Sequence, residues 1–555
     1  MAAAAFICLG PAATPARAGT TGTISGKVTD PDGRPVVAVT VVVVGTRLGA
    51  YSDNTGNFTV LNVPPGTYEV KASRLGFNPV TVSDVMVSAD RTVILELEMG
   101  DTTLKTEEVV VVAARPPVDL KITSSQSNLT KEEINNLPVQ DLEDVVNLQA
   151  GVVDGHFRGG RQNEVQYQVD GVSMNNAFDN TPTLQIDRSL MQEVQVISGT
   201  FDAEYGQAMS GVVNAVLKQG TEDFLVDAEA YGGGFFFPGG EEERHVDETS
   251  QLTGTGSLQA TVSGPLPGDT NYLVSARAYH FEDYIYADRL YNPTDGPDSN
   301  GVFIATGDGA TFPLGYTDEW SGVVKLSNHS WANSKISYQA IWNNREGRGT
   351  NYAFRYLPDA LSYQYSYSIS HGLDWTQTLG EATFLDISMR QNIYNYEDNL
   401  YEDPYDPRYD AAPQLNNSGT NGDFYYQGVQ TNHYIQDTDT FIFKGSVVSQ
   451  VNTENQVKTG LEFSLPKVTF GTDMYFTYPE NTLVRHIDEP PDYPAPATHY
   501  PVMGAAYIQD QLERKDIILR FGARVDYFDA QGTVPSDPAN PANAIDGAPT
   551  SYPCL

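Results

Sequence analysis

Past Gly220 the chain alternates apolar and polar residues over runs of about ten positions, the period-two signature of strands with one greasy and one wet face. In residues 457–465, Val457, Leu461, Phe463 and Leu465 fall on one face, and Lys458, Glu462 and Ser464 on the other. Residues 517–527 set Ile517, Leu519, Phe521, Ala523, Val525 and Tyr527 against Arg520, Arg524 and Asp526. Residues 383–393 repeat the scheme, with Leu385, Ile387 and Met389 opposite Asp386, Ser388 and Arg390. A soluble sandwich would alternate in the same way. Its strands, however, cluster near about five or six residues, whereas a tilted strand crossing a bilayer needs about nine to eleven. Length favours the membrane. Long acidic and aromatic loops at 284–318, 396–423 and 472–500 alternate with short links at 331–334 and 379–381, the asymmetry of a membrane barrel. Roughly eleven such strands are predicted before Asp529, and residues 530–555 carry no strand signal.

Upstream the rhythm differs. Residues 19–100 hold short β-runs cut by turn residues. Ile24 to Val28 alternates, Asp30-Pro31-Asp32-Gly33 turns, and residues 36–44 are β-branched almost throughout. Asn54-Thr55-Gly56-Asn57 and Pro64-Pro65-Gly66 introduce two further runs, and residues 93–97 close the unit, predicting a small β-sandwich. Residues 101–117 read as a linker containing Glu107, Glu108, Val109, Val110, Val111 and Val112. That segment suits either the sandwich's last strand or a strand held free to pair with a partner's sheet edge. Residues 118–220 are mixed. Thr130-Lys131-Glu132-Glu133 is a capping box opening a short helix. Leu142, Val145, Val146 and Leu148 follow at helical spacing behind Asp141, Glu143 and Asp144, acids that the helix dipole favours at its start. Strands are predicted at 164–169 and 193–197, with Asp170-Gly171 as a hairpin turn. The fold class is therefore mainly β: an N-terminal sandwich, a small α+β unit, and part of an antiparallel transmembrane barrel over residues 221–529.

Charge narrows the function. Lys plus Arg number 33 against 71 Asp plus Glu, a formal net charge of -38, which excludes a nucleic-acid partner held by clustered cations. Residues 1–18 read as a signal peptide, with an apolar stretch and Ala16-Arg17-Ala18 before Gly19, although no basic residue precedes Arg17. The two cysteines, Cys8 and Cys554, provide neither a disulfide framework nor a metal cage. His245 and the carboxylates beside it sit in a charged run, which reads as a solvated loop rather than a metal site. No nucleophile elbow or phosphate-binding loop is present, so no enzyme is expected. Clustered loop carboxylates suit Ca²⁺, but they suit a solvated, repulsive surface better.

Three stretches carry a resemblance. LTKEEINNLPVQDLEDVVNLQAGVV, FRGGRQNEVQYQVDGVSMNN and IDRSLMQEVQVISGTFDAEYGQAMSGVVNAVLKQG resemble the plug of TonB-dependent outer-membrane transporters. GTISGKVTDPDGRPV and DNTGNFTVLNVPPGTYEVKASRLGF resemble the carboxypeptidase regulatory-like domain, a name that brings no peptidase activity with it. The resemblance runs from about Gly19 to Phe528. It implies a 22-stranded barrel filled by the plug, set in outer-membrane lipid, with plug and sandwich facing the periplasm. It also implies that residues 107–112 are the TonB box, which pairs with a TonB-ExbB-ExbD-type energy transducer. Active uptake of an extracellular ligand follows, whether siderophore, oligosaccharide, peptide or cobalamin. The competing expectation is a surface adhesin without uptake. About half of the strands implied are absent from residues 221–529, which points to a C-terminally truncated chain. Within this frame Arg158 and Arg161, in the charged turn Arg158-Gly159-Gly160-Arg161, are expected to pair with inward carboxylates of the barrel, Glu462 first, unless both simply cap solvated turns.

Overall fold

The computed structural model describes residues 21–46, 48–89, 91–100, 109–112, 125–234, 254–331, 333–380, 382–412, 415–417, 424–452, 454–472, 474–476, 483–485, 496–514 and 517–531. The leader, Glu107, Glu108, the run around His245 and the tail beyond residue 531 lie outside them.

The N-terminal unit is a two-sheet sandwich. One sheet orders β4 (Asn57–Val63), β1 (Gly22–Thr29) and β7 (Thr92–Glu98), with β1 and β7 parallel. The other orders β3 (Gly49–Tyr51), β2 (Thr40–Val43), β5 (Gly66–Ser73), β6 (Val80–Val87) and β8 (Val109–Val112). Alternate residues of both sheets, among them Ile24, Val28, Val41, Phe58, Val70 and Val85, interleave as one core. The β-branched run at 36–44 forms a strand only from Thr40, because Ala38 adopts φ 57 and breaks the extended chain. Val36 and Val39 are buried all the same.

The middle unit orders β11 (Val172–Ser173), β10 (Val165–Val169), β13 (Gly211–Leu217), β12 (Met191–Ile197) and β9 (Gln126–Thr130). The capping box is present: Thr130 caps helix α1 (Lys131–Asn135), and the Glu133 carboxylate accepts from the Thr130 N–H at 2.9 Å. Asp141 caps α2 (Leu142–Asn147) and accepts from the Asp144 N–H at 3.0 Å. Both helices lie on one face of the sheet, where Ile134, Leu142, Val145 and Val146 pack against Val165, Val194, Val213 and Ala215. The opposite face mixes Ile197, Val212 and Val216 with Gln166, Gln168, Glu193, Gln195 and Asn214, and these polar residues are buried too.

The C-terminal unit is one large antiparallel sheet. Eleven of its strands pair with their chain neighbours: β14 (Leu225–Gly233), β15 (Thr255–Leu266), β16 (Thr270–Glu282), β17 (Tyr316–Asn328), β18 (Ser334–Arg348), β19 (Tyr363–Gly380), β20 (Thr383–Asn399), β21 (Tyr434–Gln450), β22 (Asn455–Thr472), β23 (Val502–Arg514) and β24 (Ile517–Asp529). Among the described residues, β14 and β24 are each paired on one edge. No described helix is long and apolar enough to cross a membrane. The two faces of the sheet divide as the alternation requires. On β22, Leu461, Phe463 and Leu465 are about half exposed on the outside, while Lys458 is only 7% exposed on the inside. Above one rim, segments between the strands fold into a cluster of their own around Leu314, Phe354, Leu357, Leu400 and Tyr409.

This assignment of faces is testable. Phe463→Arg places a charge on the outer face near the middle of an 18-residue strand and is expected to cost about 2–4 kcal/mol in a bilayer. Ser464→Asn, facing inward, is expected to leave the urea midpoint of refolding into phosphocholine vesicles almost unchanged.

Candidate functional site

The sheet's inner face and the middle unit meet along a seam of ion pairs, and its polarity is consistent. Most of the cations stand on the wall and most of the carboxylates on the middle unit. Asp170 and Gly171 form the turn between β10 and β11, with φ 49 and 78, the left-handed pair that a two-residue hairpin demands. The turn aims outward, so the Asp170 carboxylate accepts from Lys325 Nζ on β17 at 2.7 Å, and the Gly171 carbonyl accepts from Lys444 Nζ on β21 at 2.8 Å. Next to it the Ser173 carbonyl accepts from Asn392 Nδ2 on β20 at 2.9 Å.

A second contact forms on the segment between β12 and β13. Glu204, fully enclosed, is ion-paired with Lys458 of β22, and its N–H donates to Gln509 Oε1 on β23 at 3.1 Å. Its carbonyl accepts from Arg524 Nη1 on β24 at 2.9 Å. Asp202 pairs with Arg520 at 2.9 Å. Burial pushes the Glu204 carboxyl up, but Lys458, Lys444 and Arg520 outweigh it and hold the group below the ordinary glutamate range. At Asp202 burial wins over Arg520, and the carboxyl sits above its ordinary value. At Gly206 the Arg524 guanidinium packs directly against the backbone, and a Cβ there would require it to shift. The third contact is Asp187, which caps the turn of Arg188–Leu190 and meets Arg277 of β16 at 3.3 Å. Arg188 itself pairs with Glu229 of β14, the one pair with reversed polarity among those described here.

Arg158 and Arg161 do not take part. Both are exposed, and among the described residues neither forms an ion pair with the wall. Arg158 sits at φ 49 in a tight turn, and the Arg161 N–H donates to the Glu164 carboxylate at 3.1 Å. Glu462 is met instead by Arg524 of its own sheet, at 3.4 Å. The expected pairing of Arg158 and Arg161 with Glu462 is therefore corrected: the plug-side charges at the wall are acids on turns, and Asp170, predicted as a structural turn, is both turn and latch. Of the linker segment, Val109–Val112 pairs in parallel with β6, with Val80, Thr81, Val82 and Ser83 opposite Val109, Val110, Val111 and Val112. Among the described residues no cluster of three or more His, Cys, Asp or Glu is placed to hold a metal.

The buried mixed face of the middle sheet receives the sandwich. The Ala89 N–H donates to Glu193 Oε2 at 3.3 Å, and its carbonyl accepts from Gln195 Nε2 at 2.8 Å. Arg91 donates to Asn128 Oδ1 at 3.2 Å, and Asn128 in turn donates to Glu193 Oε1 at 2.6 Å. Gln195 Oε1 accepts from Asn214, whose own Oδ1 accepts from the Gly171 N–H at 3.1 Å. One hydrogen-bonded ladder thus runs from the sandwich, through the sheet, to the turn that grips the wall.

Comparison with known proteins agrees with this arrangement. Residues 23–100 match the model of the carboxypeptidase regulatory-like domain, and residues 119–213 that of the TonB-dependent receptor plug domain. The chain is 26% identical over 292 residues to the TonB-dependent transporter Oar of Myxococcus xanthus, a match covering 47% of this chain and 27% of that protein. It is 31% identical over 134 residues to the vitamin B12 transporter BtuB of Vibrio vulnificus, covering 22% of this chain and 21% of that protein. Among solved structures it resembles the outer membrane transporter YddB from Escherichia coli, with TM-score 0.52 and 13% identity over 73% of this chain and 56% of that one. The siderophore receptor PirA from Acinetobacter baumannii gives 0.51 and 15% over 73% and 57%. The matches thus span about a quarter of the curated relatives' length, and these two structures support the fold alone. The chain carries a regulatory-like sandwich, a TonB-dependent plug and a barrel-type sheet, and is an outer-membrane protein whose plug faces the periplasm.

Glu204→Gln strands a buried Lys458 and is expected to destabilise the seated plug by roughly 3–5 kcal/mol, with Glu204→Gln/Lys458→Met recovering most of it. Limited proteolysis of the plug and a double-mutant cycle measure this. Because the Glu204 pKa is depressed on folding, its contribution is full at neutral pH and drains away as pH falls below about 4. The double variant is expected to lose that part of the acid sensitivity.

Proposed function

We propose that this chain is the gate of an energy-coupled uptake system in the outer membrane. The carrying observation is that, beside an apolar patch where Leu273, Val323 and Ile341 of the wall join the plug core, the plug is fastened by discrete ion pairs, buried at Asp187 and Glu204 and partly buried at Asp170 and Asp202. Breaking a few buried pairs needs work, and the pairs re-form when the work stops. A protein that only adhered to surfaces would have no use for a fastened, detachable stopper.

In this reading an extracellular ligand docks among the outer loops and the plug's upper turns. The energy transducer, of the TonB-ExbB-ExbD type, pairs with the backbone of Val109–Val112 and pulls, and the pull displaces part of the plug. The relatives' printed names, a TonB-dependent transporter and a vitamin B12 transporter, support transport as the activity, as does the siderophore receptor among the structural neighbours. The ligand class is set by the loops. Arg355 lies buried over Tyr352, Tyr356 and Phe424 at 4.3, 5.1 and 5.5 Å, a packing that orders these loop aromatics.

The test is deletion of residues 107–112 in the protein embedded in the outer membrane. Uptake of the cognate ligand is expected to stop while surface binding is retained. Unchanged uptake would sink the proposal.

A further inference from the structure

We infer that the sandwich is the parking place of the transducer's strand: its β6 edge holds Val109–Val112 in a paired, uncoupled state until the strand is exchanged onto the partner. This rests on the reading of Val109–Val112 as the segment the transducer grips.

The observation is backbone pairing. Residues 109–112 lie parallel to Val80, Thr81, Val82 and Ser83 in unbroken register, and the five-stranded sheet ends at this strand. Without it, β6 would be paired only with β5 and would present an open edge, which sandwiches cover or blunt. The strand that the transducer needs and the strand that seals the sandwich are the same four residues. Among the described residues four are paired, a ladder short enough to be exchanged for another of the same kind.

A second observation says what parking does. The sandwich is hydrogen-bonded to the plug through Ala89 and Arg91, which meet Glu193, Gln195 and Asn128. While Val109–Val112 stays on β6, traction on it is delivered to the sandwich, and so to the broad face of the plug sheet. Once the strand leaves β6, traction passes along the chain to Ser125 and β9, at one edge of that sheet. Pulling a sheet from its edge strand, one strand at a time, demands far less force than dragging it by its face. Parking therefore separates a state in which the gate resists from one in which it yields.

The experiment uses the full chain with Cys8 and Cys554 changed to serine, carrying Ser83→Cys and Val112→Cys. These two positions are register partners, and neighbouring strands lie about 4.8 Å apart, inside the span a disulfide bridges. The probe is the soluble periplasmic domain of the host's energy transducer. The disulfide is expected to form under mild oxidation, and the oxidised protein to bind the probe at least about tenfold more weakly than the reduced one, which matches the parent. Free thiols after oxidation would overturn the pairing itself. Equal affinity of the oxidised and reduced forms would overturn the exchange, since the transducer would then add to the strand's outer edge. A parallel variant lacking residues 107–112 separates this from the function proposed above. If it binds the probe as well as the parent does, the transducer reading fails, while disulfide formation still reports on the pairing.

Discussion

A bilayer's interior offers no hydrogen-bond partner, so every backbone N–H and C=O that enters it must find one in the protein. That constraint explains why the strands from β14 to β24 run up to 18 residues and pair with their neighbours almost without interruption. It also fixes the side chains. With one face given to lipid, as at Leu461, Phe463 and Leu465, the alternate positions must face a lumen, and a lumen can be polar. Lys325, Lys444 and Lys458 stand there because the pleat put them there.

An inward cation cannot remain bare once a plug displaces the water around it. The acids at Asp170, Asp187, Asp202 and Glu204 answer that need, and their location on turns and caps rather than in strands is part of the answer. A turn tip reaches the wall without committing the plug's sheet to it. The resulting pairs stabilise little relative to a well-packed apolar contact, but each is costly to break by removing one partner alone. Water admitted as the plug shifts solvates both partners together. The seam is therefore firm against small fluctuations and reversible under sustained load. An apolar seam of the same area would adhere through its whole extent and would re-form in many registers.

What the sequence reveals follows from how local the physics is. Strand periodicity, the Thr130–Glu133 capping box, the Asp141 cap and the Asp170-Gly171 turn are all written within a few residues, and each is visible before folding. Charge pairing is not local. Whether Asp170 meets Lys325 depends on the register of strands some 155 positions apart, and no pattern in either segment records it. Arg158 and Arg161 misled because a pair of arginines in a glycine turn looks like a grip, while their backbone turns both toward solvent. Glu462 was correctly an inward residue, but its cation came from the next strand but one, Arg524. A signal did exist for the true latches: Lys458, Arg520 and Arg524 recur as cations on the polar, inward face of alternating strands, and the middle unit is rich in acids on turns.

The same logic governs the sheet inside the barrel. Its helix-bearing face is apolar, whereas its other face mixes Glu193, Gln195 and Asn214 with Ile197, Val212 and Val216, and the sandwich is hydrogen-bonded to it at Glu193 and Gln195. Had that face been valine and leucine throughout, sandwich and plug would form one rigid domain, and a load on either would be shared across the whole contact. Hydrogen bonds few enough to count keep the two units distinct while fixing their orientation. The contact of plug on wall combines both chemistries, since Leu273, Val323 and Ile341 of the wall join the plug core while the acids on its turns meet the inward cations. Within the wall itself the strands are held by long backbone ladders.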